Sequence, residues 1–274
     1  MNRIYSIVWS TSASAWVVAS ELATGGTRAR PEARALLRRA LLAATIGGIL
    51  GVAPPLRAQS LYWDGADTDS NANGGTGTWD NTLANWDTAA TAGANAVWSN
   101  ALPNAGVFGG GGLVTIGAGG VTARGLTFIG GGYTFNGASL TLSGTSPAID
   151  VGGATNIAFN VVLAGDDGLL KFGAGTLAIR GAQAYASTEL VEGGVVVDAG
   201  ATLTSQATII DDGATLDIAG RFLGTDGNDT FASSGTVNGA LAFGAGDDAV
   251  RFDHLVTGGP MQRMRLDGGA GAMS

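Results

Sequence analysis

From residue 59 onward, the chain alternates apolar side chains with small or polar ones over short segments that Gly, Asn or Asp separate. Alternation with a period of two predicts strands with one buried face, and the separating residues predict turns. No segment of this part sustains the apolar period of an amphipathic helix. The predicted strands are Leu113–Ile116, Gly125–Ile129, Ser139–Ser143, Gly175–Arg180, Val195–Asp198, Ala201–Thr204, Ala207–Ile210, Ala214–Ala219 and Gly239–Phe243.

Related sequence elements return along the chain at intervals of about 20 residues, a spacing typical of solenoids. Gly-Asp clusters occupy Gly224–Asp229, Gly244–Asp248 and Asp267–Gly271, and ATLTS at residue 201 returns as ATLDI at residue 214. In a solenoid each coil buries its inward side chains against its neighbours. We therefore predict an all-β fold, a right-handed parallel β-helix, with a jelly roll or β-sandwich as the alternative.

The segment that precedes Gln59 differs from the rest of the chain in charge and pattern. Residues 28–58 run from a basic stretch (Arg28–Arg39) through an apolar stretch (Ala40–Ala53) to two prolines and Ala58. This order is typical of a secretory signal peptide, and we predict cleavage between Ala58 and Gln59. A buried core helix is the alternative interpretation of the apolar stretch, although its glycines weaken a helix interior.

Composition narrows the chemistry that the exported part can perform. The chain has 47 Gly, no Cys and a single His, His254. The lack of Cys excludes disulfides, thiolate metal sites and cysteine nucleophiles, and one His leaves little room for catalysis by imidazole groups. Seven of the 14 basic residues but only two of the 22 acidic residues precede residue 59. The exported part is therefore strongly acidic, which argues against a nucleic-acid partner. We predict no cofactor.

The N-terminal end of the chain carries a more specific signal. Its opening sequence, MNRIYSIVWSTSASAWVVASELATG, resembles the extended signal peptide region of type V secretion proteins. The resemblance implies a Gram-negative protein that the inner-membrane secretion machinery exports toward the outer membrane or beyond. The matching residues are Met1, Asn2, Ile4, Tyr5, Val8, Trp9, Trp16, Val17, Val18, Ser20, Glu21, Leu22 and Ala23.

A second resemblance covers residues 168–198. The segment GLLKFGAGTLAIRGAQAYASTELVEGGVVVD is similar to the autotransporter-associated β-strand repeat, and it departs from the usual pattern at its centre, QAYASTE. Lys171 is the one lysine of the chain and stands where the repeat carries lysine. The matching residues are Gly168, Leu169, Lys171, Gly173, Gly175, Thr176, Leu177, Gly181, Tyr185, Thr188 and Gly193.

Residues 61–112 resemble the segment that opens the passenger of many autotransporters, with YWDG, GTWD, NW, AVW and VFGG in order. The four tryptophans of the exported part lie here: Trp63, Trp79, Trp86 and Trp98. One interpretation is an apolar plug that covers the first coil, which the end of a solenoid requires. The other is a platform on which the indoles stack against glycans.

Candidate catalytic and metal sites are weak. No GxSxG or GDSL-type elbow is present, and the pairs Asp166/Asp167, Asp211/Asp212 and Asp247/Asp248 are adjacent residues that a strand would point to opposite faces. Gly224–Phe231 and Phe243–Phe252 resemble the calcium-binding nonapeptide, but stand too far apart for the tandem arrangement. Ordinary β-helix corners are the preferred interpretation. The weak calcium candidates are Asp226, Asp229, Asp247 and Asp248.

These observations divide the chain into an extended signal peptide (1–58), a Trp-rich N-terminal cap (59–112) and a β-helical passenger (113–274). We predict the N-terminal part of an autotransporter passenger, a surface stalk or adhesin-like protein without enzymatic activity, whose partner is a host surface or glycan receptor. The alternative functions are the passenger of an autotransporter protease, esterase or glycosidase whose catalytic part is missing, and the exported partner of a two-partner system.

The C-terminal residues carry a further expectation. No segment after residue 199 has the length and aromatic pattern of translocator-barrel strands. We therefore expect a chain that is truncated before its translocator. Such a chain would act at the cell surface or outer membrane with a translocator, and would stop in the periplasm without one.

Overall fold

The computed structural model describes residues 59–102, 104–144, 147–153, 155–165 and 168–253, together with the backbone of residues 5–10, 15–20 and 265–267. The contacts divide the chain into two units, Met1–Gly48 and Ile49–Ser274. In the first unit, β1 (Tyr5–Ser10) and β2 (Ala15–Ser20) pair antiparallel. The described residues contain no helix of the length and apolarity needed to cross a membrane.

The strands of the second unit are short and numerous. The first half comprises β3 (Ser60–Trp63), β4 (Gly77–Trp79), β5 (Trp86–Asp87), β6 (Asn95–Ala96), β7 (Ala105–Phe108), β8 (Gly112–Ile116), β9 (Val121–Ala123), β10 (Gly125–Phe128), β11 (Tyr133–Gly137), β12 (Leu140–Leu142), β13 (Ala148–Val151), β14 (Asn156–Phe159) and β15 (Leu163–Gly165). The second half comprises β16 (Leu169–Phe172), β17 (Thr176–Ile179), β18 (Ala182–Leu190), β19 (Gly194–Val197), β20 (Thr202–Ile210), β21 (Thr215–Ile218), β22 (Arg221–Leu223), β23 (Thr230–Ser233), β24 (Thr236–Asn238), β25 (Ala240–Ala242), β26 (Ala249–Phe252) and β27 (Arg265–Asp267).

These strands stack as a parallel β-solenoid of about seven turns. One sheet runs β4-β8-β11-β14-β17-β19-β21-β24, and every pair along it is parallel. Thr176 pairs with Gly194 on the next coil, 18 residues along the chain, and Tyr133 pairs with Ile157, 24 residues along, so one coil takes up a short length of chain. The solenoid prediction is therefore confirmed and the sandwich alternative is wrong, while the right-handed sense stays a prediction.

The other two faces of the solenoid merge along the chain. In the early coils β9, β12 and β15 form a sheet of their own, separate from the stack that contains β7, β10 and β13. In β18 and β20 one long strand serves both faces, because the second half of β18 pairs with β16 and nearly its full length pairs with β20. After β20 the faces are separate again, since β22 pairs with its first part and β23 with its second. The sequence pattern predicted two strands, Ala201–Thr204 and Ala207–Ile210, where the structure has the single strand β20.

The core lies inside the coils and is built by alternation. Strands such as β10 and β19 follow the pattern half-buried, buried, half-buried, buried, which places every second side chain inward. Corner glycines allow the chain to turn between faces. Gly131 has φ of 69°, and a Cβ there would overlap the carbonyl oxygen of Gly110 on the preceding coil, so only glycine fits.

Candidate functional site

The four tryptophans of the exported part gather at the N-terminal end of the solenoid. Each is buried, with at most 1% of its surface exposed. Trp79 lies at the centre, with ring centroids 5.1 Å from Trp86 and 4.7 Å from Trp98, both edge-on. Trp63 packs edge-on against Trp86 at 5.0 Å. Edge-to-face contacts of this kind stabilise aromatic clusters beyond the apolar area they bury.

This tryptophan cluster continues into the first coils. Phe108 contacts Trp63, Trp79 and Trp86, and stacks on Phe128 at 4.9 Å. The indole N–H of Trp63 donates to the carbonyl oxygen of Gly75 at 2.9 Å. Because the faces of the four indoles are covered by one another and by Phe108, they present no surface on which a sugar could stack. Their geometry is that of a plug over the apolar core.

The strands at this end run differently from the rest. β5 pairs antiparallel with β3 and with β6, whereas the coils behind them are parallel. Ser60 finds its parallel partner on the next coil only at Ala105, a far longer step than the one from Thr176 to Gly194, and the extra chain forms the cap. An antiparallel hairpin here covers the edge of β3, which would otherwise be open to pairing with another chain.

Four carboxylates converge on the same cap. Asp64, Asp67 and Asp69 can each present an oxygen so that all three atoms lie within 4.8 Å of one another. Asp64 and Asp87 are buried, with 2% and 0% exposure. One oxygen of Asp64 and both oxygens of Asp87 have no hydrogen-bond partner among the described residues. We call these four residues the cap aspartates.

The two buried cap aspartates, Asp64 and Asp87, have raised pKa values. Burial raises the pKa of the Asp87 carboxyl, and the negative charges of Asp64, Asp69 and Asp67 raise it further. Burial likewise raises the pKa of Asp64, although a hydrogen bond from the backbone N–H of Asn73 opposes the shift. Residues 59–112 contain five aspartates and no Lys, Arg or His, so the segment supplies no positive charge to offset them.

Sequence reasoning missed the cap aspartates, although two signals pointed to them. Residues 67–73 read Asp-Thr-Asp-Ser-Asn-Ala-Asn, and oxygen-bearing side chains at every second position are typical of calcium loops. The complete lack of basic residues in the cap is the other signal. Asp87 carried no signal at all, because only the β3–β5 pairing brings it beside Asp64.

The calcium candidates of the Gly-Asp clusters lie elsewhere, on the last coils. Asp229 and Asp248 are buried, whereas Asp226 and Asp247 are less enclosed. The Asp229 carboxylate accepts hydrogen bonds from the backbone N–H and the hydroxyl of Thr225, at 2.9 and 2.8 Å. Asp248 accepts one from the backbone N–H of Asp229 at 3.0 Å. These bonds hold adjacent corners together, and calcium binding at this place stays a prediction.

Lys171 is buried within the segment that resembles the autotransporter-associated repeat. Its ammonium donates to the carbonyl oxygens of Gly173, Gly175 and Glu192, at 2.5, 2.6 and 2.8 Å. Glu192 comes from the following coil, so this side chain ties two corners together. At the centre of the segment, where the usual pattern predicts a turn, the structure has the continuous strand β18.

Several residues that the sequence analysis singled out lie outside the described residues. They include Ala58, His254, Asp166 and Asp167. Gln59, on the far side of the predicted cleavage site, is described, and its backbone N–H donates to the side chain of Asn104 at 3.0 Å. The position of cleavage stays a prediction.

Comparison with known proteins gives two matches. The family described as "Extended Signal Peptide of Type V secretion system" matches residues 1–49. The "Adhesin BmaC autotransporter" of Brucella suis biovar 1 (strain 1330) is 33% identical over 199 residues. The alignment covers 69% of this chain but 6% of the relative, so this chain spans a small fraction of its length. No solved structure matches the chain.

Proposed function

We propose that this chain, which carries the extended signal peptide of type V secretion and a β-solenoid passenger region, forms the N-terminal part of a surface adhesin. The extended signal peptide makes it a secreted or cell-surface protein. The observation that carries the proposal is the parallel stack of coils behind a closed cap, because a rod with a covered end can project from a surface without pairing end to end.

The proposed role is structural and binding, without catalysis. The inward side chains of the coils are buried in an apolar core, so contact with a partner falls to the outward faces and the corner loops. The acidic character of the exported part favours a host-surface or glycan partner over nucleic acid. A relative named as an adhesin supports this role.

Adhesion of the full chain to cells tests the proposal. Fluorescent beads coated with the purified chain are incubated with cultured epithelial cells, beside beads coated with an unrelated protein of equal negative charge. We expect several-fold more beads to attach when they carry the chain, and pre-treating the chain with denaturant should abolish the difference. Equal attachment of both kinds of bead would overturn the adhesive role.

We also propose that the chain produced by itself in a Gram-negative host accumulates in the periplasm, since no translocator accompanies it in that experiment. Fractionation of cells followed by immunoblotting tests this location. Protease added to intact cells should leave the chain uncut, and should cut it after the outer membrane is opened. Cleavage in intact cells would contradict the periplasmic location.

A further inference from the structure

The cap aspartates are the part of the molecule that the stalk role does not use. Asp64, Asp67 and Asp69, which we call the loop aspartates, each accept backbone N–H hydrogen bonds through Oδ1 from their own loop. Asp64 accepts from Asn73, Asp67 accepts from Thr68 and Asp69, and Asp69 accepts from Asn71. The Oδ2 atoms of these three residues are therefore available to a ligand.

Asp87 supplies an independent observation. It lies on β5, opposite Tyr62 of β3 in the antiparallel register, and its side chain is completely buried. Both of its carboxylate oxygens lack a hydrogen-bond partner among the described residues. Burying a carboxylate without a partner is costly, so native proteins pair such groups, protonate them or bind them to a metal. The backbone N–H of Asp64 donates to the carbonyl oxygen of Asn85 at 3.1 Å, which continues this register, so Asp64 and Asp87 are diagonal neighbours on the same face of the strand pair.

The loop and the hairpin are fastened together by bonds that involve none of these carboxylates. The backbone N–H of Gly93 donates to the carbonyl oxygen of Ser70 at 2.9 Å, and the side chain of Asn95 donates to the carbonyl oxygen of Thr68 at 2.8 Å. The four carboxyl groups are therefore held in one place by the surrounding backbone, although their charges repel. A site whose ligands are positioned in this way is prepared for a cation.

We propose that Asp64, Asp67, Asp69 and Asp87 bind a calcium ion that closes the N-terminal cap. The ligand set consists of oxygen atoms from carboxylates, which hard divalent cations prefer. One oxygen each of Asp64, Asp67 and Asp69 lie within 4.8 Å of one another and fit around one ion, because Ca²⁺–O distances are about 2.3 to 2.6 Å. Asp87 is the fourth proposed ligand, on the face of the β3–β5 pair that it shares with Asp64. Two buried and two exposed ligands leave room for water, which suits the irregular, high coordination of calcium better than the strict octahedron of magnesium.

The site ties the cap together. Asp64, Asp67 and Asp69 follow β3, whereas Asp87 belongs to the hairpin that covers β3. A calcium ion between them would link the loop to the hairpin and offset the charge that otherwise opposes their contact. Calcium then stabilises the contact between the loop and the hairpin. We expect a Kd of about 10⁻⁴ to 10⁻³ M, as in extracellular calcium-binding modules.

Calorimetric titration of the full chain with calcium chloride, after removal of metals with EDTA, tests the proposal. We expect one site of this affinity, and Asp69→Asn and Asp87→Asn should each weaken it at least about tenfold. Asp69 is exposed, so its variant keeps the experiment decisive even when Asp87→Asn does not fold. Asp80→Asn is the matched control, because it removes one carboxylate from the same segment without touching the cluster.

Two further comparisons separate this site from its alternatives. Asp229→Asn alters the Gly-Asp clusters of the last coils and should leave calcium binding at the cap unchanged. Magnesium chloride should give at least about tenfold weaker binding, since the site is built for a larger ion. The proposal is overturned if Asp69→Asn binds calcium as the wild type does, if Asp229→Asn removes the binding, or if magnesium binds equally well. The test is independent of adhesion, so it can fail while the adhesive role stands.

Discussion

The cap (residues 59–112) and the later coils (168–253) cover their apolar cores in different ways and with different residues. A coil inside the solenoid has a neighbour on each side, so short aliphatic strands such as β17 and β19 suffice to fill it. The cap has a neighbour on one side alone, and it covers the open face with four indoles and an antiparallel hairpin. The difference shows that the end of a solenoid is a separate structure and cannot be made by stopping a repeat.

The largest effect should follow from removing the centre of the cap. Trp79→Ala deletes a fully buried indole that contacts Trp86, Trp98 and Phe108, and should lower the free energy of unfolding by about 4 kcal/mol. Urea unfolding of the exported part (residues 59–274), whose four tryptophans all lie in the cap, measures the loss: fluorescence reports the cap and circular dichroism reports the coils. The fluorescence transition should shift further than the circular dichroism transition.

Phe231→Ala in the last coils is the counterpart of this variant, because Phe231 is equally buried and packs on Phe222. Its loss should move the circular dichroism transition and leave the cap fluorescence nearly unchanged. Equal shifts of both probes in both variants would mean that cap and coils unfold as one unit, and the contrast drawn between them would be wrong.

In the coils, the largest polar effect should come from Lys171. Lys171→Met keeps a long side chain but leaves three buried carbonyl oxygens without their charged donor, which should cost about 3 kcal/mol. Thermal or urea unfolding followed by circular dichroism measures it. Arg221→Met removes an exposed cation from β22, on a later coil, and should change stability by less than about 0.5 kcal/mol. Similar losses in both variants would refute the role given to Lys171.

High pH should weaken the region next to the cap. Tyr133 is buried, its hydroxyl donates to the carbonyl oxygen of Gly109, and burial raises its pKa to about 12. A raised pKa in the folded state means that this group's contribution is intact below about pH 10 and is lost as pH rises toward 12, by about 2 kcal/mol. Urea unfolding at pH 8 to 11 measures the fall. Tyr133→Phe should remove this group's share of it, and an unchanged fall in that variant would contradict the assignment.

The smallest effect should come from the surface of the coils. Arg180 and Asp198 form an ion pair with an N–O distance of 2.7 Å, but about half of the Arg180 side chain is exposed, at 45%. Arg180→Ala should change the free energy of unfolding by about 0.5 kcal/mol or less. A loss above about 1 kcal/mol in urea unfolding would show that outward charges contribute to the coils as much as inward side chains do.

Much of the fold could be predicted because its signals are local. Leu113–Ile116 and Val195–Asp198 fall on strands with alternating burial, as the period of two requires. The alternation did not predict two other strands. Tyr133–Gly137 follows three glycines, which favour a loop, and Arg221–Leu223 is too short to show a period. The pattern also predicted two strands, Ala201–Thr204 and Ala207–Ile210, where the structure has β20 alone. The polar residues between them indicated a turn, although the strand continues there from one face to the next.

The sequence by itself determined that the chain begins with an export signal, that its exported part is an acidic stack of short strands, and that its tryptophans are confined to one end. These properties depend on periodicity and composition, which are local or additive along the chain. Only the tertiary structure decided that the indoles cover one another, that Lys171 joins two corners, and that Asp87 shares a face of the β3–β5 pair with Asp64. Such contacts depend on which strands pair, and a pairing between strands as distant in sequence as β3 and β5 leaves no local pattern.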